Sequence, residues 1–150
     1  MDESIDFDHK KAAVKQQSCF VPLSEVETTE LANLLVEKHF SKGDVIVVEG
    51  DLVDSVFLII QGQADVRVTT IKDRVKQVKS VATLTVGSAI GLNESGFYSL
   101  TGKRTATVVA LTDMVVLRLS VAKFHGLALA YPHVNEVMRK SGEKFTTNSS

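Results

Sequence analysis

The chain has 150 residues, 44% of them hydrophobic, enough for one compact domain with its own core. Its formal net charge is −1, so nothing in the overall balance recruits nucleic acid or an anionic membrane. Cys19 is the only cysteine, which excludes an internal disulfide, a cysteine-based zinc site and a four-cysteine iron–sulfur cluster, and fits a reducing compartment.

The N-terminus, Met1-Asp2-Glu3-Ser4-Ile5-Asp6, is acidic and lacks the basic and apolar regions of a signal peptide. No apolar run approaches the ~20 residues of a membrane helix. The expectation is a soluble, cytoplasmic protein. Residues 1–17 are rich in Lys, Asp and Gln with little to bury, and read as a flexible N-terminal arm, loosely helical at best. A domain over 18–144 and a disordered tail over 145–150 complete the expected organisation. The first firm helix begins at Ser24, because Ser24-Glu25-Val26-Glu27 has the form of a capping box. Leu31, Leu34 and Leu35 form its apolar stripe, and Phe40 and Gly43 are expected to close it.

From about 44 to 119 the pattern is that of short strands. Gly43, Gly50, Gly62, Gly87 and Gly91 punctuate it. Glycine accepts backbone angles that a β-carbon forbids, so each marks a corner between strands. Between the corners run Val45-Ile46-Val47-Val48 and Val56-Phe57-Leu58-Ile59-Ile60. Ala64, Val66 and Val68 alternate with Asp65, Arg67 and Thr69, so one face packs and the other meets water. Lys72-Asp73-Arg74-Val75-Lys76 is a polar hairpin tip, from which Gln77 to Leu84 returns. Thr105 to Ala110 and Met114 to Leu119 read as two more strands around the turn Leu111-Thr112-Asp113. Such closely spaced apolar strands predict an antiparallel roll or barrel: mainly β, with flanking helices and about eight strands in a jelly-roll-like double-stranded β-helix.

Helix resumes at Ser120, with Val121, Phe124, Leu127 and Tyr131 three or four apart. Pro132 breaks it and can open another at its first position, carrying Val134, Val137 and Met138.

Catalytic and metal chemistry find no support in the pattern. His9, His39, His125 and His133 are scattered, without the clustered histidines and carboxylate of a cupin-type metal centre. The chain has no Gly-x-Ser-x-Gly elbow, no Walker loop and no dinucleotide glycine pattern. The expectation is a protein that is not an enzyme and holds no metal or cofactor.

The ordered set Lys42-Gly43-Asp44, Gly50, the apolar strand ending at Gly62, Gly87, Ile90-Gly91 and Arg104-Thr105-Ala106-Thr107-Val108 resembles the cyclic-nucleotide-binding domain family. That family supplies the β-roll of catabolite activator proteins, kinase regulatory subunits and cyclic-nucleotide-gated channels. The likeness runs from about Phe20 to Met138. It implies a phosphate-binding cassette in which a short helix opens after a glycine and turns its amides toward a cyclic phosphate. A buried arginine pairs with the phosphate oxygens, and a glutamate directly after the glycine takes the ribose hydroxyl.

Mapped here, the glycine is Gly91 and the arginine Arg104. The glutamate position is Leu92, which accepts no hydrogen bond, and the segment from Leu92 to Lys103 is longer than the family's usual form. Glu94 enters the site only if the loop shifts register, since on an ordinary helix it points away from the side of Leu92. The resemblance thus implies a divergent cassette of Gly91, Leu92, Asn93, Glu94, Arg104, Thr105 and Ala106, with cAMP or cGMP as candidate ligand. Each residue also has an ordinary alternative: Arg104 a surface strand end, Glu94 a solvated charge, Thr105 a packed strand residue. Phe97 and Tyr98 either stack on a purine or plug a core.

Two functions follow. In one, the domain senses a cyclic nucleotide through its phosphate and signals through its C-terminal helices, over 120–144, to an effector protein or domain. In the other, the cassette is degenerate and the roll is a protein-interaction scaffold without nucleotide. Neither involves nucleic acid or a membrane: a DNA-reading activator needs a recognition helix beyond the roll, and only six residues follow Lys144.

Overall fold

The computed structural model describes residues 6–93, 96–97 and 102–137. Two four-stranded antiparallel sheets face each other, with helices packed on the outer face of one. The first sheet has the order β1-β10-β3-β6, from Val36–Phe40 (β1), Ser55–Gln61 (β3), Ala89–Ile90 (β6) and Met114–Ser120 (β10). The second has the order β2-β9-β4-β5, from Val45–Val47 (β2), Ala64–Lys72 (β4), Val75–Leu84 (β5) and Thr107–Ala110 (β9). A small third pair joins Leu92–Asn93 (β7) to Gly96–Phe97 (β8). The expected β-roll is therefore the observed one. Gly43, Gly50, Gly62, Gly87 and Gly91 all turn their corners at positive φ, between 89° and 98°. Asp73 and Arg74, at φ 52° and 66°, make the two-residue turn of the β4–β5 hairpin with the handedness that matches strand twist.

The period-2 pattern of β3 explains the layering. Phe57 and Ile59 face the interior of the roll with Val47, Val108, Met114 and Val116. Val56 and Leu58 face the other way, into a second core with Leu117, Leu119 and the helices. Both faces of this strand are buried, which is why it reads as a continuous apolar run.

The helices are Phe7–Gln16 (α1), Glu25–Leu34 (α2) and Val121–Ala130 (α3), with a further helical stretch over 132–137. Ser24 caps α2 as the sequence predicts: its hydroxyl accepts from the Glu27 amide at 3.1 Å, and the Glu27 carboxylate accepts from the Ser24 amide at 2.7 Å. The same carboxylate lies 2.7 Å from His133 Nδ1, tying the 132–137 stretch to α2. Ser120 caps α3. None of the described helices is long and apolar enough to cross a membrane.

Three expectations are corrected. The arm expected over 1–17 contains α1, whose Ala13 and Val14 are buried in the helical core beside Phe20 and Leu31. Phe7 and Ala12 stay exposed, and Lys11 and Lys15 pair with Glu25 to hold the helix on α2. The first firm helix ends at Leu34, not near Phe40, because Val36–Phe40 pairs along its length with β10 and pairing overrides the helical pattern. Asp65 does not meet water: it is buried, accepting from Arg67 Nε at 2.7 Å and Ser80 Oγ at 2.8 Å, where β5 covers β4. The tail expected over 145–150 lies outside the described residues.

Because Val14 is fully buried, Val14→Ala should destabilise the domain by about 1.5–3 kcal/mol in urea unfolding, from two lost methyl groups and the space they leave. An unpacked arm at this position would give no measurable change.

Candidate ligand-binding site

Between the sheets, beneath the base of the β4–β5 hairpin, lies a cavity of about 470 Å³. Five of the residues singled out from the sequence line it: Gly91, Leu92, Arg104, Thr105 and Ala106. The backbone of Asn93 lies in β7, and Glu94 lies outside the described residues, as does Tyr98. The remainder of the wall is aliphatic, from Val47, Val66, Val68, Leu84, Ile90, Val108 and their neighbours.

Arg104 is positioned by backbone on both sides. Its amide donates to the Asp51 carbonyl at 2.7 Å, and its own carbonyl accepts from the Gly50 amide at 2.9 Å. Lys103 bridges to Leu52, so the approach to β9 is stitched to the loop between β2 and β3. The residue is only 8% exposed. Nη2 donates to the Ser55 carbonyl at 2.6 Å and lies 3.9 Å from the Asp54 carboxylate. Nη1 is buried and has no hydrogen-bond partner among the described residues. Burial pulls the Arg104 pKa below the ordinary guanidinium value; Asp54 opposes that shift, Arg118 adds to it, and Asp51 opposes it again. The group remains a cation in any case, because a guanidinium does not deprotonate in proteins.

A buried donor left unpaired costs about 1–3 kcal/mol, and more on a charged group, so native proteins rarely leave one without a purpose. Gly91 explains how the donor stays approachable. A β-carbon there would sit 3.0 Å from Nη1 and 3.0 Å from Val56 Cγ1, and the backbone φ of +89° also disfavours any side chain. Glycine is thus required at this position by both its backbone angle and its nearness to the guanidinium.

The short helix that the resemblance implies after Gly91 does not appear among the described residues. Leu92 pairs with Phe97 and Asn93 with Gly96, so the segment leaves Gly91 as a strand. Among the described residues, then, the guanidinium rather than a helix N-terminus faces the cavity with positive charge. Leu92 is 6% exposed and belongs to the helical core as well as to the cavity wall. Thr105 is exposed and, with Ala106, forms a bend before β9 rather than the start of the strand.

Sequence reasoning missed Asp54 and the Ser55 carbonyl. The carbonyl carries no side-chain signature, and Asp54 resembles any loop acid. The aliphatic wall was legible only in part, through the alternation of Ala64, Val66 and Val68.

The inner cavity of the β-roll thus has a buried arginine beside a positive-φ glycine in its wall. The chain matches the family model of the cyclic nucleotide-binding domain over residues 37–131, and it belongs to that family. No curated protein matches the sequence. Among solved structures, the N-terminal domain of a transcriptional regulator from Streptomyces coelicolor A3(2) is similar at 20% identity and TM-score 0.75, with 91% of this chain and 92% of that one covered. Thermus thermophilus catabolite activator protein is similar at 21% identity and TM-score 0.68, over 89% of this chain and 60% of the other. The regulatory domain of Toxoplasma gondii PKA, solved with cAMP, is similar at 19% identity and TM-score 0.67, over 83% of this chain and 46% of the other. At these identities the likeness is one of fold.

Gly91→Ala should cost at least about 1–2 kcal/mol of stability from the backbone angle alone, read by chemical unfolding. Wild-type stability in this variant would mean that neither the angle nor the contact with Arg104 constrains the site.

Proposed function

We propose that this domain is a regulatory module that takes a cyclic nucleotide by its phosphate at Arg104 and reports occupancy through its C-terminal helices to an effector protein or domain. The observation that carries the reading is the unpaired, buried Nη1 of Arg104 at the glycine-lined side of the cavity. A cyclic phosphate is a compact anion whose oxygens accept from a guanidinium, and a charge-assisted bond in a dry site is stronger than one in water. Membership of a family of cyclic nucleotide-binding domains, and the cAMP named with the Toxoplasma structure, favour the same ligand chemistry.

The route to the helices is supported by Leu92. It borders the cavity and packs in the same core as Phe124, Leu127, Val134 and Val137. A ligand shifts only an equilibrium between states that it binds unequally. A ligand that moves Gly91 and Leu92 would bind one packing of α3 and the 132–137 stretch better than another, and so would change what an effector meets.

Leu92 also shapes affinity. It stands where an acceptor for the ribose hydroxyl is expected, so natural cyclic mononucleotides should bind with micromolar or weaker affinity. A site built to bond a hydroxyl strongly rejects an analogue that lacks it, and one without the acceptor does not. Titration calorimetry with cAMP, cGMP and 2′-deoxy-cAMP should therefore give heats of binding with little loss for the deoxy form. Arg104→Ala should weaken binding by about 1.5–3 kcal/mol, roughly 10- to 150-fold. A large preference for the ribose form would reveal an acceptor, with Glu94 the first candidate. Absence of binding by any cyclic nucleotide would replace this reading with that of a scaffold.

A further inference from the structure

We infer that the cavity selects for a singly charged phosphodiester on a compact apolar body, and that a nucleoside is not required. The inference rests on the proposed function only in taking Arg104 as the anion contact. Apart from Gly91, Arg104 and Thr105, every described residue lining the cavity carries an aliphatic side chain, including Val53, Val81 and Ala82 toward its mouth. The described wall thus offers one buried cation and one side-chain hydroxyl, and that hydroxyl, on Thr105, is exposed.

Such a wall recognises by two unequal means. The Arg104 guanidinium, held by Ser55 and with Nη1 unpaired, fixes where an anion sits. Beyond the anion, the described side chains offer surface whose attraction is non-directional and scales with the apolar area removed from water. Discrimination of a purine needs donors and acceptors that meet its edge, and discrimination of a ribose needs an acceptor for its hydroxyl. Leu92 turns the second position into more apolar wall. A volume of about 470 Å³ accommodates a small organic anion of either kind. The side chains of the described wall therefore select by charge and apolar bulk: phosphodiester monoanions with alkyl or aryl groups compete with a cyclic nucleotide for the same place.

Dialkyl phosphates test this directly, because they keep the phosphodiester anion and remove both sugar and base. Calorimetric titration of the wild-type domain with dimethyl, diethyl and dibutyl phosphate should show affinity climbing about fourfold for each additional methylene that is buried. Dibutyl phosphate should displace cAMP, and its binding should fall at least tenfold in Arg104→Ala. Affinity that does not rise with chain length, or that survives Arg104→Ala, overturns the inference. If cAMP binds and dibutyl phosphate does not, the inference falls while the cyclic-nucleotide reading stands. If dibutyl phosphate binds with the expected dependence and cAMP does not, the inference stands and the cyclic-nucleotide reading falls. Binding of neither overturns both.

Discussion

A guanidinium buried at the inner wall of a β-roll, with one terminal nitrogen bonded and the other unpaired among the described residues, is the constraint around which this domain is arranged. Nη2 has the Ser55 carbonyl; Nη1 has no partner among the described residues. Interior polarity is low, so a satisfied bond there is strong and an unsatisfied donor is correspondingly costly. The fold holds this arrangement with backbone rather than with side chains that could relax. Gly50, Asp51, Leu52 and Lys103 clamp the chain on both sides of Arg104, and Val53 donates to the Gly102 carbonyl at 2.7 Å. An ion pair that would neutralise the group is only loosely made, at 3.9 Å to an Asp54 side chain that is largely in water. A cation so placed has its attraction for an incoming anion preorganised.

The second organising feature is that the molecule has two cores divided by one sheet. Successive residues of β3 alternate between them, Phe57 and Ile59 to the roll, Val56 and Leu58 to the helices. Leu92 connects the two regions, since it belongs to the helical core and borders the cavity. Close-packed interiors transmit displacement rather than absorb it. A leucine in place of a hydrogen-bonding residue at this position therefore makes the cavity wall continuous with the packing of α1, α2 and α3. The Glu27–His133 bond fastens the far end of that helical layer to α2, giving the C-terminal stretch a defined resting place.

Most of the roll was legible in the sequence, for reasons specific to particular residues. The glycines mark corners because all five adopt angles that other residues avoid. The Ser24 box is local chemistry and needs no tertiary knowledge. Errors arose where tertiary pairing decided. Val36–Phe40 carries a weak helical pattern that the β10 ladder overrides, and Val14 gives no hint of its burial until Phe20 and Leu31 are placed beside it. At the cavity, Arg104 and Gly91 were singled out because the family pattern names their positions, and both line its wall. The β7–β8 pairing was not, since the pattern implies helix directly after Gly91 whereas Leu92 and Asn93 pair as a strand. A backbone carbonyl such as that of Ser55 leaves no trace in a sequence at all.

The central claim, that Arg104 Nη1 is the donor an anion satisfies, can be read at the atom itself. Side-chain nitrogen NMR of the ¹⁵N-labelled domain, recorded with and without saturating cAMP, reports whether the Arg104 guanidinium protons gain a bond. The account predicts slowed exchange and a shifted Nη1 resonance on ligand addition, with coupling between that nitrogen and the ligand phosphorus. An Arg104 signal that stays unchanged while the ligand perturbs residues elsewhere would contradict it.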